Sequence, residues 1–131
     1  MAGEAILIID DNAVNLKLLR ITLAVAGYDV RTAVDAEQAI SVLESFRPRL
    51  ILMDIQLPGM DGLELTRRLK ADPATSHAIV LAVTAYAMKG DEQRALAAGC
   101  DGYITKPIDT RTLAGTIARS LEQSSASESR P

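Results

Sequence analysis

Short apolar runs alternate with segments of helical periodicity along this chain. The runs at residues 5–9, 50–53 and 79–83 contain no polar side chain and are of strand length. Runs this continuous are typical of parallel strands, because both faces of such strands are covered by helices. Residues 28–33 and 103–105 predict two further strands, and the first of these alternates as an edge strand does. Five strands separated by helices indicate an α/β fold.

The segments between these runs predict amphipathic helices. In the first, three leucines fall on one face, and Gly27 ends the helix. In the second, the spacing of Asp35 and Gln38 resembles a capping box, and Pro48 forces an end. The predicted helices cover residues 15–26, 36–47, 62–71 and 91–98, followed by a last helix that Asp109 caps.

Length and composition predict one compact domain with a short tail. The chain has 131 residues, of which 48% are hydrophobic, and this suffices for a sheet with helices on both faces. After Gln123, the only apolar side chain is a single alanine. We therefore expect residues 1–122 to form the domain and residues 123–131 to be a disordered tail.

Charge and cysteine content exclude several classes of function. The net charge is −3, the sequence pI is near 5.1 and the cations are scattered, so direct nucleic-acid binding is not expected. Cys100 is the only cysteine, which excludes an internal disulfide. No apolar run approaches the roughly 18 residues of a membrane span, and the N-terminus lacks the pattern of a secretory signal. We therefore expect a cytoplasmic protein that does not bind membranes.

Polar residues follow the predicted strands at the point where each strand ends. Asp10 and Asp11 follow the first run, Asp54 follows the run at 50–53, and Thr84 and Lys106 follow two more. Ligands of such sheets bind outside the carboxyl ends of the strands, so these side chains converge at one rim. Three carboxylates a few ångströms apart repel one another by about 4 kcal/mol per pair at an effective dielectric constant near 20. A divalent cation is therefore expected among them, and Mg²⁺ prefers such oxygen ligands.

Each of these residues also has an ordinary explanation when it is taken alone. Asp10 and Asp11 fit a turn that caps the following helix. Lys106 fits a surface lysine, and Thr84 is an ordinary strand residue. Together, however, the groups match phosphoryl transfer, in which a carboxylate such as that of Asp54 is a competent nucleophile and fixed charges supply most of the catalysis.

Four ordered blocks of sequence carry a family resemblance. They are Ile-Ile-Asp10-Asp11, Leu-Met-Asp54-Ile-Gln-Leu-Pro58-Gly59-Met-Asp61-Gly62, Val-Thr84-Ala85 and Tyr103-Ile-Thr-Lys106-Pro107. With these blocks the chain resembles the receiver domain of bacterial two-component response regulators, from about residue 5 to residue 121. The segment that begins at Thr84 is most similar to stand-alone regulators of the cell-fate type and to receivers attached to hybrid kinases.

The resemblance implies a fold and a metal site. The fold is a flavodoxin-like, doubly wound, five-stranded parallel sheet with strand order 2-1-3-4-5 and helices on both faces. The cofactor is Mg²⁺, held by Asp11, Asp54 and the backbone carbonyl of Gln56, with Asp10 acting directly or through water.

The resemblance also implies the chemistry and the switch. Asp54 accepts a phosphoryl group from a phosphohistidine of a histidine kinase or a histidine phosphotransfer protein, while Lys106 and Thr84 bind the phosphoryl oxygens. The Lys106–Pro107 peptide bond is expected to be cis. Thr84 then moves, Tyr103 turns inward, and the face formed by the fourth helix, fifth strand and fifth helix changes its affinity for a downstream protein.

In this interpretation the protein is not an enzyme, but a phosphoacceptor that assists its own phosphorylation and dephosphorylation, as a monomer or as a phosphorylation-dependent dimer. One alternative is a metal-dependent phosphatase with an aspartyl nucleophile. In such enzymes an acid stands two residues after the nucleophile, whereas Gln56 stands there in this chain. A second alternative is a protein-binding module that does not depend on phosphorylation.

Overall fold

A computed structural model gives the fold of this protein. It describes residues 3–57, 59–84 and 89–128, and it describes the side chains in these ranges except at 89–92 and 124–128. Within these ranges, five parallel strands form one sheet in the order β2-β1-β3-β4-β5. The predicted α/β class and the predicted strand order are therefore confirmed.

Strands and helices alternate along the chain, as the apolar runs predict. The strands are β1 Ala5–Ile9, β2 Asp29–Ala33, β3 Leu50–Asp54, β4 Ile79–Thr84 and β5 Gly102–Thr105. The helices are α1 Ala13–Val25, α2 Ala36–Leu43, α3 Gly62–Ala71, α4 Lys89–Ala98 and α5 Thr110–Glu128.

The core consists of two apolar layers, one on each face of the sheet. On β1, Leu7 and Ile9 face one layer, while Ile6 and Ile8 face the other. All four side chains are buried, and so is every residue of β3 and β4. This two-sided burial is the physical reason why the central strands read as uninterrupted apolar runs.

The ends of α1 and α2 differ from the prediction. The first helix begins at Ala13 because the side chain of Asn12 accepts hydrogen bonds from the backbone N–H groups of Val14 and Asn15, at 3.0 and 3.1 Å. The second helix ends at Leu43 and does not reach residue 47. Phe46, three residues beyond the end of this helix, is buried in the core.

The last helix is longer than the sequence predicts. The segment from residue 123 was expected to be a disordered tail, but α5 continues to Glu128. Among the side chains of this helix that the structure describes, those of Leu113, Ile117 and Leu121 are buried. Neither glycine nor proline interrupts residues 123–128, and the backbone hydrogen bonds of the helix continue there. Residues 129–131 lie outside the described part of the chain.

Among the described residues, no helix is both long and apolar enough to cross a membrane.

Candidate functional site

The carboxyl ends of four neighbouring strands bring the predicted polar residues to one rim. Asp10 follows β1, Asp54 ends β3, Thr84 ends β4 and Lys106 follows β5. Backbone hydrogen bonds continue the sheet into this rim, since the N–H of Asp10 donates to the carbonyl of Ala33 at 3.1 Å and that of Lys106 to the carbonyl of Thr84 at 2.7 Å. The positions of these side chains are therefore set by the sheet itself.

Three carboxylates meet at this rim, as predicted. Asp10, Asp11 and Asp54 each have one carboxylate oxygen within 4.8 Å of the other two. Asp10 and Asp54 are each only 3% exposed, whereas Asp11 is exposed. Two buried negative charges at such a distance are costly unless a cation lies beside them.

Lys106 supplies one cation to this cluster. Its ammonium donates a hydrogen bond of 3.1 Å to Oδ2 of Asp54 and lies 3.9 Å from Oδ2 of Asp10. Taken with this ammonium alone, the three carboxylates retain an excess of negative charge within the described part of the site. The Lys106–Pro107 peptide bond is cis.

Backbone amides hold the other oxygens of the two buried carboxylates. Oδ1 of Asp54 accepts a hydrogen bond from the N–H of Gln56, and Oδ1 of Asp10 accepts one from the N–H of Asn12, both at 2.9 Å. Each carboxylate is thus held in one orientation while its oxygens retain further lone pairs. The arrangement leaves these oxygens able to accept additional ligands.

The electrostatics of Asp10 reflect this crowding. Burial raises the pKa of its carboxyl group above the ordinary value of 3.8, and the charges of Asp54 and Asp11 add to the rise. The amide of Asn12 and the ammonium of Lys106 oppose it but do not cancel it. A raised pKa means that the ionised form is destabilised here, which a bound cation would reverse. Three closely spaced carboxylates fit a hard divalent cation such as Mg²⁺.

The two predicted switch residues occupy different depths of the sheet. Thr84 is buried at the rim, where its partner across β5 is Thr105. Tyr103 lies farther from the rim, opposite Ala82, and its side chain is 41% exposed. The structure thus places Thr84 at the rim where Asp54 also ends its strand, and Tyr103 on the outer strand β5. Gln56 has an exposed side chain, and only its backbone takes part in the hydrogen bonding of Asp54.

Sequence reasoning missed an apolar surface beside the carboxylates. A cavity of about 370 Å³ is lined both by the site residues Asp10 and Lys106 and by the apolar residues Leu18, Leu19 and Ile108. It continues into an exposed apolar row on α1 with the spacing of a helical stripe, formed by Val14, Leu18, Ile21 and Val25. The spacing of this exposed row is present in the sequence, but the prediction for this helix considered only the buried stripe of Leu16, Leu19 and Leu23.

The fold and the site together define a class: a doubly wound α/β protein with an acidic cluster and a lysine at the carboxyl ends of its strands. A family model described as the response regulator receiver domain matches residues 6–118. The chain belongs to this family, and the family prediction is confirmed.

Named relatives and solved structures agree with this assignment. The polar-differentiation response regulator DivK of Brucella anthropi is 44% identical over 114 residues, which cover 87% of this chain and 93% of the relative. The chemotaxis response regulator CheY4 of Vibrio cholerae has a TM-score of 0.84 at 27% identity, covering 90% of this chain and 98% of that one. The receiver domain of the sensor histidine kinase PA1611 of Pseudomonas aeruginosa has a TM-score of 0.83 at 35% identity, covering 92% and 99%. That structure is described with a magnesium ion coordinated in the active site cleft.

Proposed function

We propose that this chain is a phosphorylation-controlled response regulator in which Asp54 accepts a phosphoryl group from a phosphohistidine of a histidine kinase or a histidine phosphotransfer protein. One observation carries the proposal. The buried carboxylate of Asp54 lies 3.1 Å from the ammonium of Lys106 and shares a cluster with two further acids. Such a constellation positions a nucleophile and a fixed positive charge on the same small site, as phosphoryl transfer requires.

The side chains of Asp11 and Asp54 and the backbone carbonyl of Gln56 would hold Mg²⁺ in this site, with Asp10 acting directly or through water. The family implies this ligand set, and the carboxylate oxygens within 4.8 Å of one another support it. When bound, the metal supplies positive charge that offsets the repulsion of the carboxylates and of a phosphoryl group. The hydrogen bond from the amide of Gln56 keeps the carboxylate of Asp54 turned towards the cluster.

The transfer itself exchanges one bond for another. A carboxylate oxygen of Asp54 forms a bond to phosphorus while the bond between phosphorus and the imidazole nitrogen breaks, and the imidazole keeps the electron pair. Lys106 and Thr84 bind the phosphoryl oxygens, because an ammonium and a hydroxyl both donate hydrogen bonds to an oxyanion. Each chain takes up one group and assists its gain and its loss, so the protein acts as a switch and not as an enzyme with turnover.

Phosphorylation would act by shifting a population of conformers. Thr84 contacts the new phosphoryl group, Tyr103 turns inward, and the face formed by α4, β5 and α5 binds a downstream protein with altered affinity. Each tenfold change in affinity requires about 1.4 kcal/mol of preference for one conformer. We place this switch in the cytoplasm, without direct contact to nucleic acid or membrane, as a monomer or a phosphorylation-dependent dimer.

The exposed apolar row on α1 supports the proposal that the phosphodonor is a protein. It begins beside the carboxylates, because Leu18 lines the same cavity as Asp10 and Lys106. A partner that presents its phosphohistidine to Asp54 would cover this row at the same time. Exposed apolar rows next to a reactive site are typical of surfaces that bind another protein.

Labelling with a small phosphodonor tests the proposal. The purified chain is incubated with phosphoramidate and MgCl₂, and the intact mass is measured. We expect one phosphoryl group per chain, stable in acid and labile in base, in the wild type and in Asp61→Asn, whose exposed acid lies in the loop after Asp54. Asp54→Asn should take up none. Labelling that persists in Asp54→Asn would contradict the proposal, and sustained release of phosphate from small phosphoesters would favour the phosphatase alternative.

A further inference from the structure

The first residue of α3 lies directly against the backbone of Asp54. If Gly62 carried a side chain, its Cβ would collide with the carbonyl oxygen of Asp54 and would lie 2.7 Å from Cα of Ile55. Both contacts are with backbone atoms, which cannot turn aside as the end of a long side chain can. Gly62 therefore permits a closer approach of helix and strand than any other residue would allow.

The loop after Asp54 is held from two sides. The N–H of Ile55 donates to the carbonyl of Val83 on β4, and the carbonyl of Ile55 accepts from the N–H of Gly62, each at 3.2 Å. A displacement of the Asp54–Ile55 peptide away from α3 would break its contact with β4. The loop consequently cannot move far from α3 without losing a backbone hydrogen bond.

The helix is fixed as well. Leu63, Leu65 and Leu69 anchor α3 in the core, and the fully buried hydroxyl of Thr66 donates a hydrogen bond of 2.8 Å to the carbonyl of Gly62. Moving the first turn outward would disturb this packing and would strain the hydrogen bond of Thr66. Helix and loop thus fix each other at the contact between Gly62 and Asp54.

The site depends on the position of this loop. The carboxylate of Asp54 is oriented by the amide of Gln56 at 2.9 Å and by the ammonium of Lys106 at 3.1 Å. Both distances would change if residues 54–56 moved by a few tenths of an ångström. Misplacement of a reacting group by about 1 Å can slow a reaction on the order of 100-fold.

We infer that Gly62, held by the hydroxyl of Thr66, is a positioning residue for the phosphoacceptor. It sets the position of the Asp54 carboxylate and of the Gln56 backbone relative to Lys106, although it touches neither phosphate nor metal. This inference rests on the proposed function of Asp54.

Gly62→Ala tests the inference, with Gly115→Ala as the matched control. Gly115 lies on the exposed side of α5, where an added Cβ would have only the end of the Arg119 side chain within 4 Å. The amide spectrum (¹H–¹⁵N) of each variant reports whether it is folded. The dissociation constant of Mg²⁺ is then measured from the shifts of the Gln56 amide, and the labelling rate with phosphoramidate is measured at saturating MgCl₂.

We expect Gly62→Ala to bind Mg²⁺ more weakly and to be labelled at least about tenfold more slowly, within the 100-fold range of a 1 Å misplacement. Gly115→Ala should match the wild type in both. A loss of stability alone would change the folded fraction, but not the chemical shifts or the rate of the folded molecules. A folded Gly62→Ala with the Mg²⁺ affinity and labelling rate of the wild type overturns the inference.

A pair of variants at Thr66 decides the matter if Gly62→Ala does not fold. Thr66→Val removes the hydroxyl and should slow labelling severalfold, because the carbonyl of Gly62 loses the hydrogen bond that helps to hold it in place. Thr66→Ser keeps the hydroxyl and should restore the rate, whereas wild-type labelling in Thr66→Val would overturn the inference. A wild-type chain that takes up no phosphoryl group contradicts the proposed function instead, so the two failures are distinguishable.

Discussion

The ammonium of Lys106 donates a hydrogen bond of 3.1 Å to Oδ2 of Asp54, a residue 52 positions earlier in the chain. The lysine side chain is one quarter exposed, whereas the aspartate is almost fully buried. The pair therefore joins two distant strand ends and compensates a charge that is poorly solvated. Removal of this pair should therefore lower the free energy of unfolding of the whole domain.

Lys106→Met should destabilise the protein when no divalent cation is present. Breaking a buried ion pair costs about 3–5 kcal/mol, and partial exposure of the lysine reduces this to about 1–3 kcal/mol of unfolding free energy. Urea denaturation measures the loss, and MgCl₂ should restore part of it. Lys17→Met, at an exposed position of α1, should change stability by less than about 0.5 kcal/mol. Equal losses of unfolding free energy in the two variants would show that the ion pair of Lys106 and Asp54 does not contribute to stability.

Asp10→Asn should stabilise the protein in the absence of Mg²⁺. The substitution removes one of three crowded negative charges, and the asparagine oxygen can still accept the hydrogen bond from the amide of Asn12. We expect a gain of about 1 kcal/mol, which lies within the range common for single stabilising substitutions. The wild type should gain more from MgCl₂ than the variant does, because ligand binding stabilises the state that binds it.

Thermal unfolding with and without MgCl₂ measures both effects of Asp10→Asn. Asp29→Asn is the control, since Asp29 is exposed on the edge strand β2. A lower melting temperature for Asp10→Asn than for the wild type without MgCl₂ would contradict the view that repulsion dominates this cluster.

The rim of the site could be predicted because the order of the strands and the chemistry of their ends are both local features of the sequence. A strand buried on both faces is uniformly apolar, so the first polar residue after it marks the end of the strand. Asp10, Asp54 and Thr84 were located in this way, whereas Lys106 follows Thr105 at the end of the partly exposed edge strand β5. The parallel topology brings all four residues to one rim. Packing against distant parts of the chain was not needed for this step.

Features that depend on tertiary contacts could not be predicted in this way. The early end of α2 is one such feature, because the apolar periodicity is the same for a helix that ends at Leu43 and for one that reaches residue 47. The contact of Gly62 with the Asp54 backbone requires the distance between a helix and a strand. A glycine at the start of a helix has the same appearance in the sequence whether or not such a contact exists.

The apolar row on α1 predicts that substitutions in it change the rate of phosphoryl transfer from a protein donor much more than the rate from a small-molecule donor. Leu18→Ala and Ile21→Ala should each slow phosphotransfer from a histidine phosphotransfer protein, by about tenfold for the double variant, because apolar contact area with the partner is lost. Labelling by phosphoramidate should change much less, since the hydrogen bonds that orient Asp54 come from the amide of Gln56 and the ammonium of Lys106 and not from either side chain. Transfer rates at limiting donor concentration provide the measurement.

Ile40→Ala is the matched control for Ile21→Ala. The two isoleucines are 43% and 45% exposed, but Ile40 lies on α2, away from the cavity beside the carboxylates. If the control slowed phosphotransfer from the protein donor as much as Ile21→Ala does, the row on α1 would not be the surface that the donor covers.

Gly99→Ala should destabilise the protein although the residue lies far from the carboxylates. Gly99 has φ +107°, and a Cβ there would lie 3.0 Å from Cγ of Lys70. Lys70 cannot move away freely, because its ammonium donates to the carbonyl of Ala78 at 2.7 Å and to Asp101 at 2.9 Å. We expect a loss of about 1–2 kcal/mol in urea denaturation. Gly115→Ala, in the exposed helix position, should instead gain up to about 1 kcal/mol.

Cys100 should be unreactive in the folded protein and should make stability depend on pH above 9. Burial raises the pKa of this thiol above its ordinary value of 9.0, and the nearby charge of Asp101 adds to the rise, while a weak hydrogen bond to the hydroxyl of Thr66 opposes it. A disulfide reagent at pH 8 should therefore label the protein slowly in buffer and rapidly in urea, because the thiolate is the reactive form.

The same thiol should make the unfolding free energy depend on pH. Since the folded state holds the thiol proton more tightly, the contribution of Cys100 to stability is complete below pH 9 and is lost as pH rises through the folded pKa. The unfolding free energy of the wild type should thus fall more steeply between pH 8 and about pH 11 than that of Cys100→Ala. The comparison of the two chains cancels the contribution of the tyrosines, because both chains contain them. Identical slopes, or rapid labelling at pH 8 without urea, would show that the thiol is accessible to water in the native state.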